Sequence, residues 1–214
     1  MLSPEIAYGE ALAAAPAAPP VLVRERCGSA WPLPLAVWLG GVTAVDERVL
    51  DRARGPVLDV GCGPGRHVRA LARRAVVVLG VDVAPAAVQH ARRRGTPVVE
   101  GSVFGPLPLA GRWRTALLLD GNVGIGGDPA RLLGRLAELL RPDGAVLVEL
   151  DPDDRAGDGR GRAIRLEQGD GVSEWFPWAR VGPGAIATPA AAAGLRVAER
   201  WQDEGRRFCV LTRS

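Results

Sequence analysis

The sequence predicts an α/β protein: a doubly wound, mostly parallel seven-stranded sheet with an antiparallel C-terminal hairpin strand, forming a three-layer αβα sandwich. Three observations lead there. Residues 57–65, Val-Leu-Asp-Val-Gly-Cys-Gly-Pro-Gly, pass from an apolar run through three alternate glycines directly into an amphipathic helix. Strand-like and helix-like stretches then alternate to about residue 150, as in a parallel sheet with crossover helices. Near the end, β-like runs at 195–201 and 208–212 flank a polar turn at 203–205, a hairpin signal.

Residues 1–50 precede this series and read as a cap on the substrate side, where Trp31, Pro32, Leu33, Pro34 and Trp38 offer aromatic surface. Residues 51–214 read as the domain that holds this series, opening with half of a nucleotide-binding βαβ unit. In it, Val57, Leu58 and Val60 suit a buried strand, while Gly61, Gly63 and Gly65 let the backbone turn and approach a ligand with no Cβ in the way. The next helix carries Val68, Leu71, Ala72 and Ala75 at i, i+3, i+4 and i+7. A second strand, 76–82, closes on Asp82, and Pro85 with Gly95 brackets a helix over 85–94. Strands three and four are expected at 96–100 and 114–119. Asp128-Pro129 then opens a helix with Leu132, Leu133, Leu136 and Leu140 on one side, and Pro142-Asp143-Gly144 turns into a fifth strand at 145–150. An insertion or lid at about 151–180 begins Asp151-Pro152-Asp153-Asp154, crosses a glycine- and arginine-rich stretch read as a mobile loop, and reaches Glu174-Trp175-Phe176-Pro177-Trp178, read as an extra strand or lid.

Ligands in open α/β sheets lie over the carboxyl ends of the strands, where strand order reverses. Asp59, Asp82, Asp120 and Asp151 stand at such ends on strands one, two, four and five. Asp82 lies about 20 residues beyond the glycines, the spacing at which a carboxylate accepts both ribose hydroxyls, although its place before Ala84-Pro85 also suits a helix cap. A dinucleotide turn would carry a glycine at position 66, where Arg66 stands. An acid followed by GxGxG instead resembles the first motif of the class I methyltransferases that use S-adenosylmethionine (AdoMet). The resemblance covers roughly residues 57–150. It implies AdoMet as cofactor, with its methionine half near Asp59, Gly61, Cys62, Gly63 and Gly65, its ribose at Asp82 and Val83, and its adenine near Ser102 and Val103. It also places the fourth-strand motif at Asp120, Gly121 and Asn122, in a glycine-rich loop suited to a tight wall beside cofactor and acceptor. Two departures accompany it. Ser102 stands where many relatives use an acid for the adenine amino group, with Glu100 as a further candidate contact. The fourth-strand loop also lacks the Asn/Asp-Pro-Pro-Tyr/Phe signature of many amino-group methylases of DNA and protein.

Methyl transfer asks mainly for orientation, with a base only when the acceptor must lose a proton. His67, Asp120 and Asp151 are the candidates for catalytic roles, His67 reading equally as a helix-start residue beside the pocket; His90 lies on an arginine-rich, solvated helix. No metal is called for, since Asp120, Asn122 and Asp151 have no spacing that requires one. Cys27, Cys62 and Cys209, far apart and odd in number, suggest neither a disulfide framework nor zinc, which fits a reducing cytoplasm. A chain of 214 residues that is 47% hydrophobic supports one sizeable core. All 27 basic residues are arginine and they are dispersed, so a net charge of +3 argues against a nucleic-acid surface. Prolines and Glu10 break the apolar N-terminal stretch, against a signal peptide, and no run has the length of a membrane span.

The expected protein is therefore a cytoplasmic AdoMet-dependent methyltransferase, monomer or homodimer. It acts on a small-molecule acceptor through oxygen, nitrogen or carbon, with neither nucleic acid nor membrane as partner. An NAD-dependent oxidoreductase on a similar sheet, and a catalytically silent AdoMet-binding interaction protein, are the alternatives.

Overall fold

The computed structural model describes residues 1–15, 17, 19–153 and 157–214, so Asp154 of the acidic run lies outside the described residues. In chain order the elements are α1 (Pro4–Ala14), β1 (Leu22–Glu25), β2 (Ala30–Pro32), α2 (Leu35–Leu39), α3 (Ala44–Leu50), β3 (Val57–Val60), α4 (Arg66–Arg73), β4 (Val78–Asp82), α5 (Pro85–Arg93), β5 (Val98–Glu100), β6 (Trp113–Leu118), α6 (Pro129–Leu139), β7 (Leu140–Leu150), β8 (Asp158–Gln168), β9 (Gly171–Val172), β10 (Phe176–Val181), α7 (Ala187–Ala192), β11 (Leu195–Asp203) and β12 (Arg206–Arg213).

The main sheet has seven strands in the order β11-β12-β7-β6-β3-β4-β5. From β7 to β5 every neighbour pair is parallel, whereas β12 runs antiparallel to β7 and pairs with β11 as the terminal hairpin. Both faces are covered, which is why β3 is buried at all four positions and reads as a continuous apolar run broken by one acid. On one face Leu132, Leu133 and Leu136 of α6 meet Val146 and Val148; on the other, Val49, Leu71 and Val88 from α3, α4 and α5 meet Val57 and Leu117. Each such buried side chain contributes about 1.5–3 kcal/mol. Strand order reverses between β3 and β6, so the glycine turn after β3 and the loop after β6 open side by side at the carboxyl edge.

Two local expectations change. Helix α4 stops at Arg73, Ala75 takes a φ of 58°, and Ala72 and Ala75 are exposed; the buried side of α4 is instead Arg66, His67, Val68 and Leu71. The Pro142-Asp143-Gly144 segment lies inside β7, where Trp113 pairs with Leu140 and Thr115 with Ala145, so these residues form a bulge in a continuous strand.

The larger difference is a second sheet, of order β10-β8-β1-β2 with β9 alongside β8. The N-terminal cap and the insertion are thus one antiparallel structure: Val23 lies opposite Leu166, and Phe176 opposite Ile164. The glycine- and arginine-rich stretch expected as a mobile loop is largely strand β8. Its Ile164 and Leu166 face inward with Val23 and with Ala11 and Leu12 of α1. Ser3 caps α1, accepting a hydrogen bond from the Ile6 amide, with Pro4 at the first turn. Gly9 then lets α1 settle on α5, because a Cβ there would lie 2.8 Å from the Ala86 methyl. No helix among the described residues is long and apolar enough to cross a membrane.

Candidate functional site

A cavity of about 880 Å³ lies between the carboxyl edge of the main sheet and the inner face of the second sheet. That is at the upper end of the volumes ligand pockets span, about 300–1,000 Å³. Its first part is the turn after β3. Gly61 and Gly63 hold φ of 69° and 53°, and a Cβ on Gly63 would reach the Tyr8 hydroxyl at 3.0 Å. Asp82, at the end of β4, accepts the Gly63 amide at 2.7 Å and the Ala84 amide at 2.8 Å. Both readings of Asp82 are therefore compatible: it fixes the loop and the start of α5, and each oxygen keeps a lone pair for a ligand. Burial pushes its carboxyl above the usual range, partly offset by these amides.

Of the residues expected at the site, Gly61, Cys62, Gly63, Asp82, Val83, Ser102, Val103, Asp120, Gly121, Asn122, His67 and Asp151 line the cavity. Asp59, Gly65 and Glu100 do not. Asp59 is 1% exposed beneath the loop, and Gly65 begins α4 packed on α5, where a Cβ would lie 2.9 Å from Thr96. Glu100 is exposed at the end of β5. The Ser102 hydroxyl accepts the Phe104 amide at 3.2 Å. Burial raises the Cys62 thiol well above its usual pKa, leaving a packing residue. Asn122 donates to the Val60 and Gly61 carbonyls, both at 2.9 Å, which ties the loop after β6 to the glycine turn.

The three candidates for base chemistry are all committed to ion pairs. Asp120 is bidentate on Arg66 at 2.8 and 2.9 Å, and Asp151 on Arg180 at 2.6 and 3.0 Å. His67, 4% exposed, stands 3.6 Å from Asp46 and 3.8 Å from Asp59. Burial opposes its charge, but the two acids outweigh that and raise its pKa to about 9. A charged imidazole held between two carboxylates has no free lone pair for a proton, so this geometry favours the helix-start reading of His67 over that of a base.

Sequence reasoning missed the hub of this arrangement. Asp46, on α3 behind its Thr43 cap, is fully buried and bonds Arg66, Arg206 at 2.7 Å and the Thr43 amide at 2.8 Å. Burial would raise its pKa, yet His67, the Thr43 amide, Arg206 and Arg66 hold it far below the carboxylate range. Arg206 in turn grips Glu149 at 2.8 and 2.7 Å, and Glu149 accepts the Asp120 amide at 2.8 Å. Tyr8 was also missed. Burial first, then the nearby Asp82, Cys62 and Asp120, raises its hydroxyl well above the usual tyrosine range, so it faces the glycine turn as a neutral donor. The signal available was that Tyr8 is the sole tyrosine of the chain.

The far side of the cavity is aromatic. Trp31, Trp38, Phe176 and Trp178 line it, with Val23, Ile164 and Leu166 from the second sheet. Trp175 instead lies outside the cavity lining, with Arg26 and Arg165 over its ring at 5.1 and 4.8 Å. The glycines after β6 divide in role. Gly121 and Gly126 line the cavity, whereas a Cβ on Gly124 would collide with the Ala179 carbonyl, and one on Gly127 would lie 2.9 Å from Pro177. Gly124 and Gly127 thus let β10 close onto this loop.

A family described as a methyltransferase domain matches residues 57–144. Trans-aconitate 2-methyltransferase of Paracidovorax citrulli (strain AAC00-1) is 31% identical over 112 residues, covering 50% of this chain and 43% of that protein. Ubiquinone biosynthesis O-methyltransferase of Acinetobacter baumannii (strain AYE) is 32% identical over 113 residues, 48% of this chain and 46% of that one. The chain therefore spans just under half the length of these curated relatives. In fold it resembles the crystal structure of a SAM-dependent methyltransferase from Bacteroides fragilis in complex with S-adenosyl-L-homocysteine. The TM-score is 0.82 at 22% identity, over 100% of this chain and 97% of the other.

Proposed function

We propose that this chain, which carries a class I AdoMet-dependent methyltransferase domain, moves a methyl group from AdoMet to a small-molecule acceptor held under the second sheet. One observation carries the reading: the glycine turn with Asp82 and the aromatic chamber are two ends of a single cavity. The residues fit the donor. Asp82 keeps acceptor lone pairs for the ribose hydroxyls, and the bare backbone of Gly61 and Gly63 admits close approach. Tyr8 closes over the turn, and Ser102 and Val103 take the adenine end. Arg66, buried in its ion pairs where a dinucleotide turn would have its third glycine, favours AdoMet over NAD.

When bound, AdoMet supplies a methyl group already activated on sulfur. The protein's part is to orient the acceptor and exclude water, and orientation of this kind contributes about 7–11 kcal/mol. Asp46, Arg66 and Arg206 fix Asp120 and Glu149 at the carboxyl edge, and the tryptophans close the other side. Calorimetry with AdoMet, S-adenosylhomocysteine and NAD tests the donor: the first two are expected to bind at one site and NAD not at all. A labelled-methyl screen over phenols, acids, amines and peptides then tests transfer. Binding of NAD in preference to AdoMet would overturn the reading, and AdoMet binding with no transfer to any class would make the chain a silent binder.

A further inference from the structure

The chamber's arginines are already spent on acids of the protein, and that decides which acceptors it takes. Among the described residues three arginines and His67 line the cavity, the imidazole standing between Asp46 and Asp59, and lysine is absent from the whole chain. Arg66 is held by Asp46 and Asp120, Arg206 by Asp46 and Glu149, and Arg180 by Asp151. Six carboxylates line the same cavity, those of Glu5, Asp82, Asp120, Glu149, Asp151 and Glu204. Asp82 and the positive sulfonium of the donor account for part of that excess. Glu149, near the end of β7, and Asp151, just beyond it, belong to the acceptor side. A carboxylate or phosphate entering here would have to displace a protein acid from its guanidinium and would meet the remaining acids as like charges. A cation meets lone pairs left open on Asp120, Glu149 and Asp151, and aromatic faces suited to positive charge. Trp31 already serves one cation in this way, with the Arg180 guanidinium 4.9 Å from its ring.

We propose, building on the methyltransferase reading above, that the acceptor is an amine carried on a flat apolar skeleton, and that acids and phosphates are refused. The ammonium form is drawn in and gives its proton to water. The freed nitrogen lone pair forms the new N–C bond while the C–S pair returns to sulfur. The products are a neutral thioether and an N-methylammonium, which releases one N–H proton to solvent according to pH.

The test uses three probes of matched shape, 2-phenylethylamine, 2-phenylethanol and 3-phenylpropionate. Each is titrated against the intact chain saturated with S-adenosylhomocysteine, with the fluorescence of the chamber tryptophans as readout. The amine is expected to bind at least tenfold tighter than the carboxylate, with the alcohol between. Asp151→Asn, which frees Arg180, is expected to narrow that gap at least threefold by strengthening the carboxylate; if the variant does not fold, the ranking in the unaltered chain decides. Equal or tighter binding of the carboxylate, or binding of none of the three, overturns the proposal. Failure of S-adenosylhomocysteine to bind, with the amine preference retained, overturns the methyl-donor reading and leaves the charge argument standing.

Discussion

Gly63 shows how narrow the tolerances are at single residues. Its φ of 53° is strained for any side chain, and a Cβ would sit 3.0 Å from the Tyr8 oxygen on the face where the donor is proposed to lie. Gly63→Ala is expected to cost about 1 kcal/mol of stability from backbone strain and to weaken AdoMet binding at least tenfold by calorimetry. Asp82→Ala removes the proposed ribose partner together with the two amide contacts that fix the turn and the start of α5. It should weaken AdoMet binding about tenfold or more while the far-ultraviolet circular dichroism stays unchanged; unaltered affinity would sink the ribose assignment. Both positions are legible in the sequence because their signals are local: alternate glycines, and an acid closing an apolar run. Asp59 carries the same local signal, but the loop covers it and it does not line the cavity. Tyr8 was illegible because nothing in the neighbourhood of an alanine-rich helix announces that it ends over a loop 55 residues away.

Between elements, the cohesive unit is the buried ionic cluster that joins α3, α4, the loop after β6, the end of β7 and the terminal hairpin through Asp46, Arg66, Asp120, Glu149 and Arg206. Removing one partner of such a cluster leaves a buried charge uncompensated and costs about 3–5 kcal/mol. Asp46→Asn is therefore expected to lower the unfolding midpoint by roughly 10 °C, given about 2–4 °C per kcal/mol for a chain of this size. His67 makes the cluster sensitive to alkali. Its pKa of about 9 in the folded chain exceeds the ordinary 6.5. The stability it adds, on the order of 3 kcal/mol, is complete below about pH 6.5 and is lost as pH rises through 9. Thermal melts from pH 7 to pH 10 should show a falling midpoint, and His67→Gln should flatten that slope; an identical slope in the variant would remove His67 from the account. Reading the cluster from sequence fails because its members are distant along the chain, and an arginine at position 66 looks like any helix-start residue until its partners are seen.

At the scale of the molecule, two sheets meet along a seam of glycines. Gly124 and Gly127 on the main sheet's side let the backbone of β10 approach, and a Cβ on Gly161 of β8 would collide with the Gly127 carbonyl. Gly124→Ala is expected to push β10 away and loosen the chamber. Hydrogen exchange should then quicken at residues 176–181 while the strands of the main sheet keep their protection; uniform exchange across the chain would contradict the seam. The main sheet was readable from alternation and periodicity alone. The second sheet was not, because β1 finds its partner β8 across more than 130 residues, and short polar strands rich in arginine and glycine carry weak strand signals.

That long-range pairing also fixes an order of assembly. As the chain emerges from the ribosome, β1 and β2 appear first as an isolated two-stranded ribbon, which is marginal in water. Its partner β8 begins at residue 158, and at about 5–20 residues per second the wait is on the order of 10 s. By the end of that interval the edge of β1 is still unpaired, whereas β3 to β6 have their neighbours and β7 waits only for β12. The chamber thus takes shape only late in synthesis, followed by the terminal hairpin, and under the proposed function a nascent chain would acquire its donor-binding half before it has anywhere to place the acceptor.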